Sequence, residues 1–327
     1  MNLPPKLNVA NLPTPIHKLE KLSAQYGKNL YIKRDDFTGS EWSGNKIRKL
    51  EYAVQEALNQ SAKVLITCGG LQSNHARATV AIARTLGLKT HLVLRGEKTD
   101  SPEGNLFLDM LYGTEVSYLS PDAFNENYLT FMDELKANYD AKGQHAYIIP
   151  MGASNGIGTF GYYNCYQEIC TQESEMGVKF DAICTAIGSG GTYGGLFLGN
   201  LFSETPRQIA GFNISATPEY FRPEISRIVR DSMAYMGTNQ AFNESDICIY
   251  GGYEGIGYAL TQPDELEFIK EIAALEGIIL DPVYTGKAFR GFLSEIKKGA
   301  FKNCDSLLFI HTGGLHGLHA FRGDFSF

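Results

Sequence analysis

The chain has 327 residues, 43% hydrophobic and 20% charged, which is enough to bury a large core and to fill about two domains at ~100–200 residues each, and which excludes wholesale disorder or a stapled miniature fold. Lysine plus arginine number 29 against 36 acids, a net charge of −7, so no basic field draws the chain towards nucleic acid or anionic lipid. No apolar run approaches the ~20 residues that cross a bilayer, and MNLPPKLNVANLP lacks the regions of a signal peptide, so a cytoplasmic protein without membrane or nucleic-acid partners is expected.

In chain order, a glycine-rich stretch near Gly39 to Gly44 leads into SGNKIRKLEYAVQEAL, where Ile47, Leu50, Val54 and Leu58 recur at helical spacing. From Ser61 onward the pattern predicts strand KVLITC, helix ARATVAIARTLG, strand THLVLRG, helix NLFLDMLYG and strand TEVSYLS, the alternation of a parallel sheet. It continues through strand AYIIP, a second glycine-rich stretch near Gly152 to Gly161, a helix around GYYNCYQEIC, and strands DAICTAIG, QIAGFNIS and DICIYGGY. A helix over DELEFIKEIAALEG and the strand SLLFIHTGG complete it. Two wound sheets fit this count better than one very wide sheet. The glycine-rich stretches mark crossings between lobes, giving a smaller lobe over 48–160 and a larger one over 1–47 and 161–327. The six cysteines form no CxxC pair and read as buried free thiols, with neither a disulfide framework nor a zinc site.

Ligands in such folds collect where strands end and helices begin, because a helix N-terminus offers unpaired N–H groups and a positive dipole end. Several segments at such junctions or in neighbouring loops carry polar residues. In GNKIRKLEY, Lys46 and Lys49 lie three apart near a helix start, either as two solvated amines or as a pair reaching one ligand, in which a desolvated amine beside a second cation forms a Schiff base with an aldehyde. In CGGLQSNH, Ser73 is a natural helix cap, and Asn74 and His75 sit in the exposed first turn, where a carboxylate would be held. In IGSGGTYGG, Gly188 to Thr192 form either a phosphate cup or a bare tight turn. Tyr193 stands where the dinucleotide fingerprint requires glycine, and no P-loop lysine follows. In LDPVYTGKAFRG and GYEGIGYAL, Tyr284 and Tyr258 serve either packing or proton relay. His311, His316 and His319 lack acidic partners and carry no metal assignment.

Together these segments resemble one family across nearly the whole chain: the pyridoxal-phosphate lyases comprising D-cysteine desulfhydrase and 1-aminocyclopropane-1-carboxylate deaminase. The matching stretches, LPTPIHKLEKLS, YIKRDDFTG, GNKIRKLEY, GGLQSNH, GSGGTYGG, LDPVYTGK and HTGG, follow the family's order. The resemblance implies the tryptophan-synthase β-like α/β fold (PLP fold type II), with two lobes that each hold a mostly parallel sheet flanked by helices, and a homodimer. It implies pyridoxal 5'-phosphate, with Lys46 as the Schiff-base lysine and general base and Lys49 at the cofactor phosphate. Gly188, Ser189, Gly190, Gly191 and Thr192 would form the phosphate cup. Asn74 would meet the cofactor's 3-hydroxyl, Ser73, Asn74 and His75 the substrate carboxylate, and Tyr258 and Tyr284 would be active-site tyrosines. Where the family's deaminases carry glutamate and leucine, this chain has Thr285 and Thr312, which would face the pyridine nitrogen as hydrogen-bonding groups. A carboxylate there strengthens the electron sink that opening a cyclopropane needs, whereas a hydroxyl suits expulsion of a thiol. The expectation is therefore β-elimination of D-cysteine to pyruvate, hydrogen sulfide and ammonia. The deaminase that releases 2-oxobutanoate, or a related D-amino-acid lyase, is the alternative.

Overall fold

The computed structural model describes residues 3–327. Ten strands form two sheets: β1 (Ile16–Lys18), β2 (Asn29–Arg34), β3 (Val64–Gly70), β4 (Lys89–Arg95), β5 (Glu115–Leu119), β6 (Ala146–Ile148), β7 (Ala182–Ile187), β8 (Gln208–Asn213), β9 (Cys248–Tyr250) and β10 (Ser306–His311). The helices between and around them are α1 (Glu20–Tyr26), α2 (Lys46–Asn59), α3 (Asn74–Thr85), α4 (Gly104–Leu111), α5 (Pro121–Ala141), α6 (Phe160–Met176), α7 (Gly191–Leu201), α8 (Pro218–Tyr235), α9 (Pro263–Glu276), α10 (Thr285–Lys297) and the short α11 (Leu315–Leu318).

The larger sheet has the order β1-β2-β10-β7-β8-β9 and the smaller β5-β4-β3-β6. Every pairing is parallel except the antiparallel edge pair β1 and β2. Parallel strands buried on both faces read as continuous apolar runs, and β7 (AICTAI) is buried at all its positions. This is the α/β architecture of parallel sheets flanked by helices that the resemblance implies. The smaller sheet's strands lie between Val64 and Ile148, and the expected division between residues 47 and 48 falls within α2.

The topology fixes where a ligand sits. In the smaller sheet the chain leaves β3 towards β4 and returns on its other side as β6; in the larger sheet β10 inserts between β2 and β7. Such reversals open a crevice at the carboxyl ends of the strands. One apolar cluster joins Tyr31 of β2, Leu50 of α2, Leu65 of β3 and Ile183 of β7, so the two sheets share a core. Among the described residues no helix is long and apolar enough to cross a membrane.

Three parts of the reading needed the structure. α5, 21 residues long, was not anticipated; only Phe124 and Met132 of it are buried, so its sequence carries a weak helical stripe. α8 was missed as well, and β1, α1 and β2 precede the stretch where alternation is legible. All six cysteines are free, but Cys170 and Cys248 are only half-buried, which corrects the expectation of uniformly buried thiols.

Candidate active site

A cavity of about 220 Å³ lies at the carboxyl ends of β3, β7 and β10, lined by Lys46, Ser73, Asn74 and His75, by Gly188, Ser189, Gly190 and Thr192, and by Tyr258, Tyr284 and Thr312. Residues 44 and 313 meet because neither has a side chain: a Cβ on Gly44 would stand 2.6 Å from the Thr312 carbonyl oxygen, and one on Gly313 would stand 2.7 Å from the Gly44 Cα. The Asn45 N–H then donates to the Thr312 carbonyl at 3.1 Å, locking the start of α2 against the end of β10.

Lys46 is the first residue of α2 and points into the cavity. Its Nζ donates to Asn45 Oδ1 at 2.9 Å, and Asn45 Nδ2 donates to Thr192 Oγ1 at 2.9 Å, so one asparagine ties the lysine to the glycine-rich turn. Burial pulls the ammonium from its ordinary 10.5 down to about 8; Asp281 opposes the shift and the charge of Arg77 adds to it. The positive end of α2 works in the same sense. Lys46 is thus a cation that readily gives up its proton, as a Schiff-base amine and a general base must.

Lys49 corrects the solvated-surface reading: it is 1% exposed. Among the described residues its only side-chain partner is Ser154 Oγ at 3.3 Å, and burial together with the charge of Lys46 holds its ammonium well below the usual lysine range. Ser154 Oγ also lies 2.8 Å from Ser189 Oγ and accepts the Gly191 N–H at 3.1 Å. Lys49 and Gly191 are absent from the cavity lining and back the cup through this serine, which the sequence did not single out. A Cβ on Gly191 would approach Ser154 Oγ to 2.6 Å, so that glycine is what lets the turn close on the serine.

The corner formed by Ser73, Asn74 and His75 opens α3. Ser73 caps the helix, its Oγ accepting the Ala76 N–H at 3.1 Å, which leaves the hydroxyl hydrogen to donate into the cavity. Asn74 Oδ1 accepts from Asn105 Nδ2 at 2.9 Å, and Asn105 Oδ1 accepts from Arg77 Nε at 2.8 Å. This chain of bonds turns the Asn74 amide N–H groups outward from Asn105. The Thr67 hydroxyl donates to the Ile149 carbonyl at 2.8 Å and so accepts from His75 Nε2 at 2.8 Å. Burial, reinforced by Lys46 and Lys49, holds His75 well below its ordinary range and therefore neutral. Asn105, Arg77 and Thr67 had no motif to announce them; they act through contacts 8 to 31 residues away in the chain.

Tyr258 and Tyr284 come together, their hydroxyls 2.5 Å apart and their rings edge to face. Burial raises both phenols, and each is partner to the other. Lys46 Nζ lies 5.6 Å from the centre of the Tyr284 ring. The two threonines separate. Thr312 lines the cavity, whereas Thr285, 0% exposed, spends its hydroxyl on Asp281, accepting from the backbone N–H and donating to Oδ1, both at 2.7 Å. Of the pair expected at the pyridine nitrogen, only Thr312 offers a hydroxyl to the cavity. His311, buried on β10, accepts the Gly313 N–H at 3.1 Å and contacts the Ile279 carbonyl with Nε2, a structural role.

These residues fit pyridoxal phosphate. Lys49 is a buried ammonium with a single hydroxyl for company, beside the first turn of α7, whose N–H groups lack helical partners. A phosphate dianion would supply acceptors for the first-turn N–H groups that Ser154 does not take, and a counter-charge for Lys49 behind that serine. Lys46 would supply the amine for the aldehyde, and Asn74 an outward amide for a ring oxygen.

A model of the family described as pyridoxal-phosphate dependent enzyme matches residues 7–313. The chain is 44% identical, over 96% of its length and 98% of the relative's, to a putative 1-aminocyclopropane-1-carboxylate deaminase of Thermotoga maritima. It is 40% identical, over 95% of its length and 79% of the relative's, to the bifunctional D-cysteine desulfhydrase/1-aminocyclopropane-1-carboxylate deaminase of Arabidopsis thaliana mitochondria. Among solved structures, an ACC deaminase homologue superposes with a TM-score of 0.90 at 36% identity, covering 98% of this chain and 95% of that one.

Proposed function

The chain belongs to the pyridoxal-phosphate dependent enzymes, in the group that holds 1-aminocyclopropane-1-carboxylate deaminases and D-cysteine desulfhydrases, and from that premise we propose that it is a carbon–sulfur lyase acting on D-cysteine. The observation that carries this reading is the composition of the cavity wall, to which the described residues contribute no aspartate or glutamate. Pyridoxal phosphate supplies an aldehyde for the substrate amine and a ring that draws electrons from the α-carbon. Of the two threonines expected at the ring nitrogen, Thr312 alone offers its hydroxyl, beside which the ring would be a weaker sink than beside a carboxylate. A weak sink is enough where the leaving group is a thiol of pKa about 8.5, and too little where a cyclopropane must open.

The residues divide the work. Ser73 and Asn74 hold the substrate carboxylate with outward donors at the start of α3, where the helix dipole adds to them. Lys46, whose ammonium sits at about 8, takes the proton from the α-carbon. The Tyr258 and Tyr284 hydroxyls, 2.5 Å apart, act as one relay that delivers a proton to the departing sulfur. Asn45 holds the lysine in line with the cup throughout.

The name of the Thermotoga maritima relative supports the deaminase as the second reading. A side-by-side assay of the holoenzyme separates them. Sulfide and pyruvate are expected from D-cysteine, with little from L-cysteine, and no 2-oxobutanoate from 1-aminocyclopropane-1-carboxylate. Release of 2-oxobutanoate without sulfide would overturn the lyase assignment.

A further inference from the structure

Arg95 is a cationic residue of the cavity wall that the chemistry above leaves unused. It ends β4, in register with Gly70 at the end of β3, one strand away from the corner formed by Ser73 and Asn74. The ring of Tyr258 completes this wall, since a Cβ on Gly70 would stand 3.7 Å from it. The guanidinium forms no ion pair or side-chain hydrogen bond with a described residue, and its Nε is buried without a partner. Arg95 is half-buried and borders the cavity, so its unspent donors are open to a ligand.

Two anions are already provided for. The cofactor phosphate has Lys49 and the first turn of α7, reached from the other sheet, and the substrate carboxylate has Ser73 and Asn74. No carboxylate of the wall competes for Arg95. Its remaining neighbour is the Tyr258 end of the cavity, where the β-substituent of a substrate would lie if the phenols serve the leaving group; Arg95 partly offsets the rise that burial causes in Tyr258. We propose that Arg95 binds an oxyanion on the β-substituent, so that, beside D-cysteine, the site takes amino acids with a second negative charge there, such as a sulfonate, sulfate or carboxylate, and holds them more tightly than alanine, which offers the fork nothing. A planar fork of donors matches such groups two bonds at a time. The inference rests on the amino-acid lyase reading for the orientation of the substrate.

Calorimetric titration of the holoenzyme with cysteate and alanine, each as both enantiomers, tests it, because the two differ by one sulfonate and neither needs to turn over. In the favoured enantiomer, cysteate is expected to bind the wild type about tenfold to a hundredfold more tightly than alanine. In R95M the ratio falls to about one. R95K, which keeps the charge and loses the fork, falls in between. Equal affinities in the wild type, no binding of cysteate, or an undiminished ratio in R95M would overturn the proposal. Should D-cysteine release no sulfide, the lyase assignment fails separately, and the affinity ratio still decides the role of Arg95.

Discussion

A lysine that must form an imine has to be buried enough to lose its proton and exposed enough to meet an aldehyde. Lys46 meets both demands by standing at the first position of a helix whose remaining face is core. Its amine is held at about 8 in the folded protein, against the ~10.4 of an unfolded chain, and Lys49 shifts in the same direction. Between those values the unfolded state binds more protons, so stability rises with pH, and the penalty is fully present below about 8. Cofactor-free wild type is therefore expected to gain about 1.5 kcal/mol relative to Lys46→Met between pH 8 and 9.5, read by denaturant melts; parallel curves would refute the assigned shift. In the loaded protein, Lys46→Ala should abolish the visible absorbance of the lysine-bound cofactor. A spectrum unchanged by the substitution would remove Lys46 from its role.

At the scale of elements, the site is assembled from helix beginnings, and α3 shows how one residue can serve two ends. Ser73 is both the cap of α3 and a hydroxyl of the cavity wall. Ser73→Ala is expected to lower stability by about 1 kcal/mol through loss of the cap and, separately, to raise KM for the amino acid, because the carboxylate loses a donor. A stability loss with unaltered KM would make Ser73 a cap alone. Gly191 is the corresponding feature of α7. Its substitution by alanine forces a Cβ to within 2.6 Å of Ser154 Oγ and should weaken cofactor retention, measured as release on dilution. Retention equal to wild type would show that the cup can open without loss.

Across the whole molecule, α2 is held by an ion network as well as by apolar packing. Arg48, 1% exposed, bonds Asp35 beyond the end of β2 through Nε and Nη2, both at 2.9 Å, and Glu168 of α6 through Nη1 at 2.9 Å. Lys33 of β2 adds a 2.6 Å pair with Glu168. The charge of Arg48 keeps the buried Asp35 carboxyl below its usual range despite burial. This network braces the helix that bears Lys46 against the larger sheet. Arg48→Met leaves two carboxylates without their main partner and is expected to cost about 3–5 kcal/mol in chemical denaturation. A loss under 1 kcal/mol would mean that apolar contacts alone seat α2.

The alternation of apolar runs with helical periods was enough for the fold class, because a parallel sheet imprints itself locally: each buried strand is a run and each crossover helix a period. The motifs GNK, QSNH, GSGGT and HTGG were legible for a related reason, since each sits at a strand or helix end where glycine and small polar residues have few other uses. The long exposed α5 left too faint a stripe to read. Which side chains face the cavity was likewise invisible. Thr285 and Thr312 look equivalent in sequence, yet the backbone around Asp281 consumes one hydroxyl and leaves the other free. Asn45, Asn105, Ser154 and Arg95 belong to the site by position alone. The sequence by itself determined the architecture and the cofactor class, because these follow from short-range pattern and from motif chemistry. Only the tertiary structure decided which donors remain unspent, because hydrogen-bonding capacity is exhausted between residues far apart in the chain.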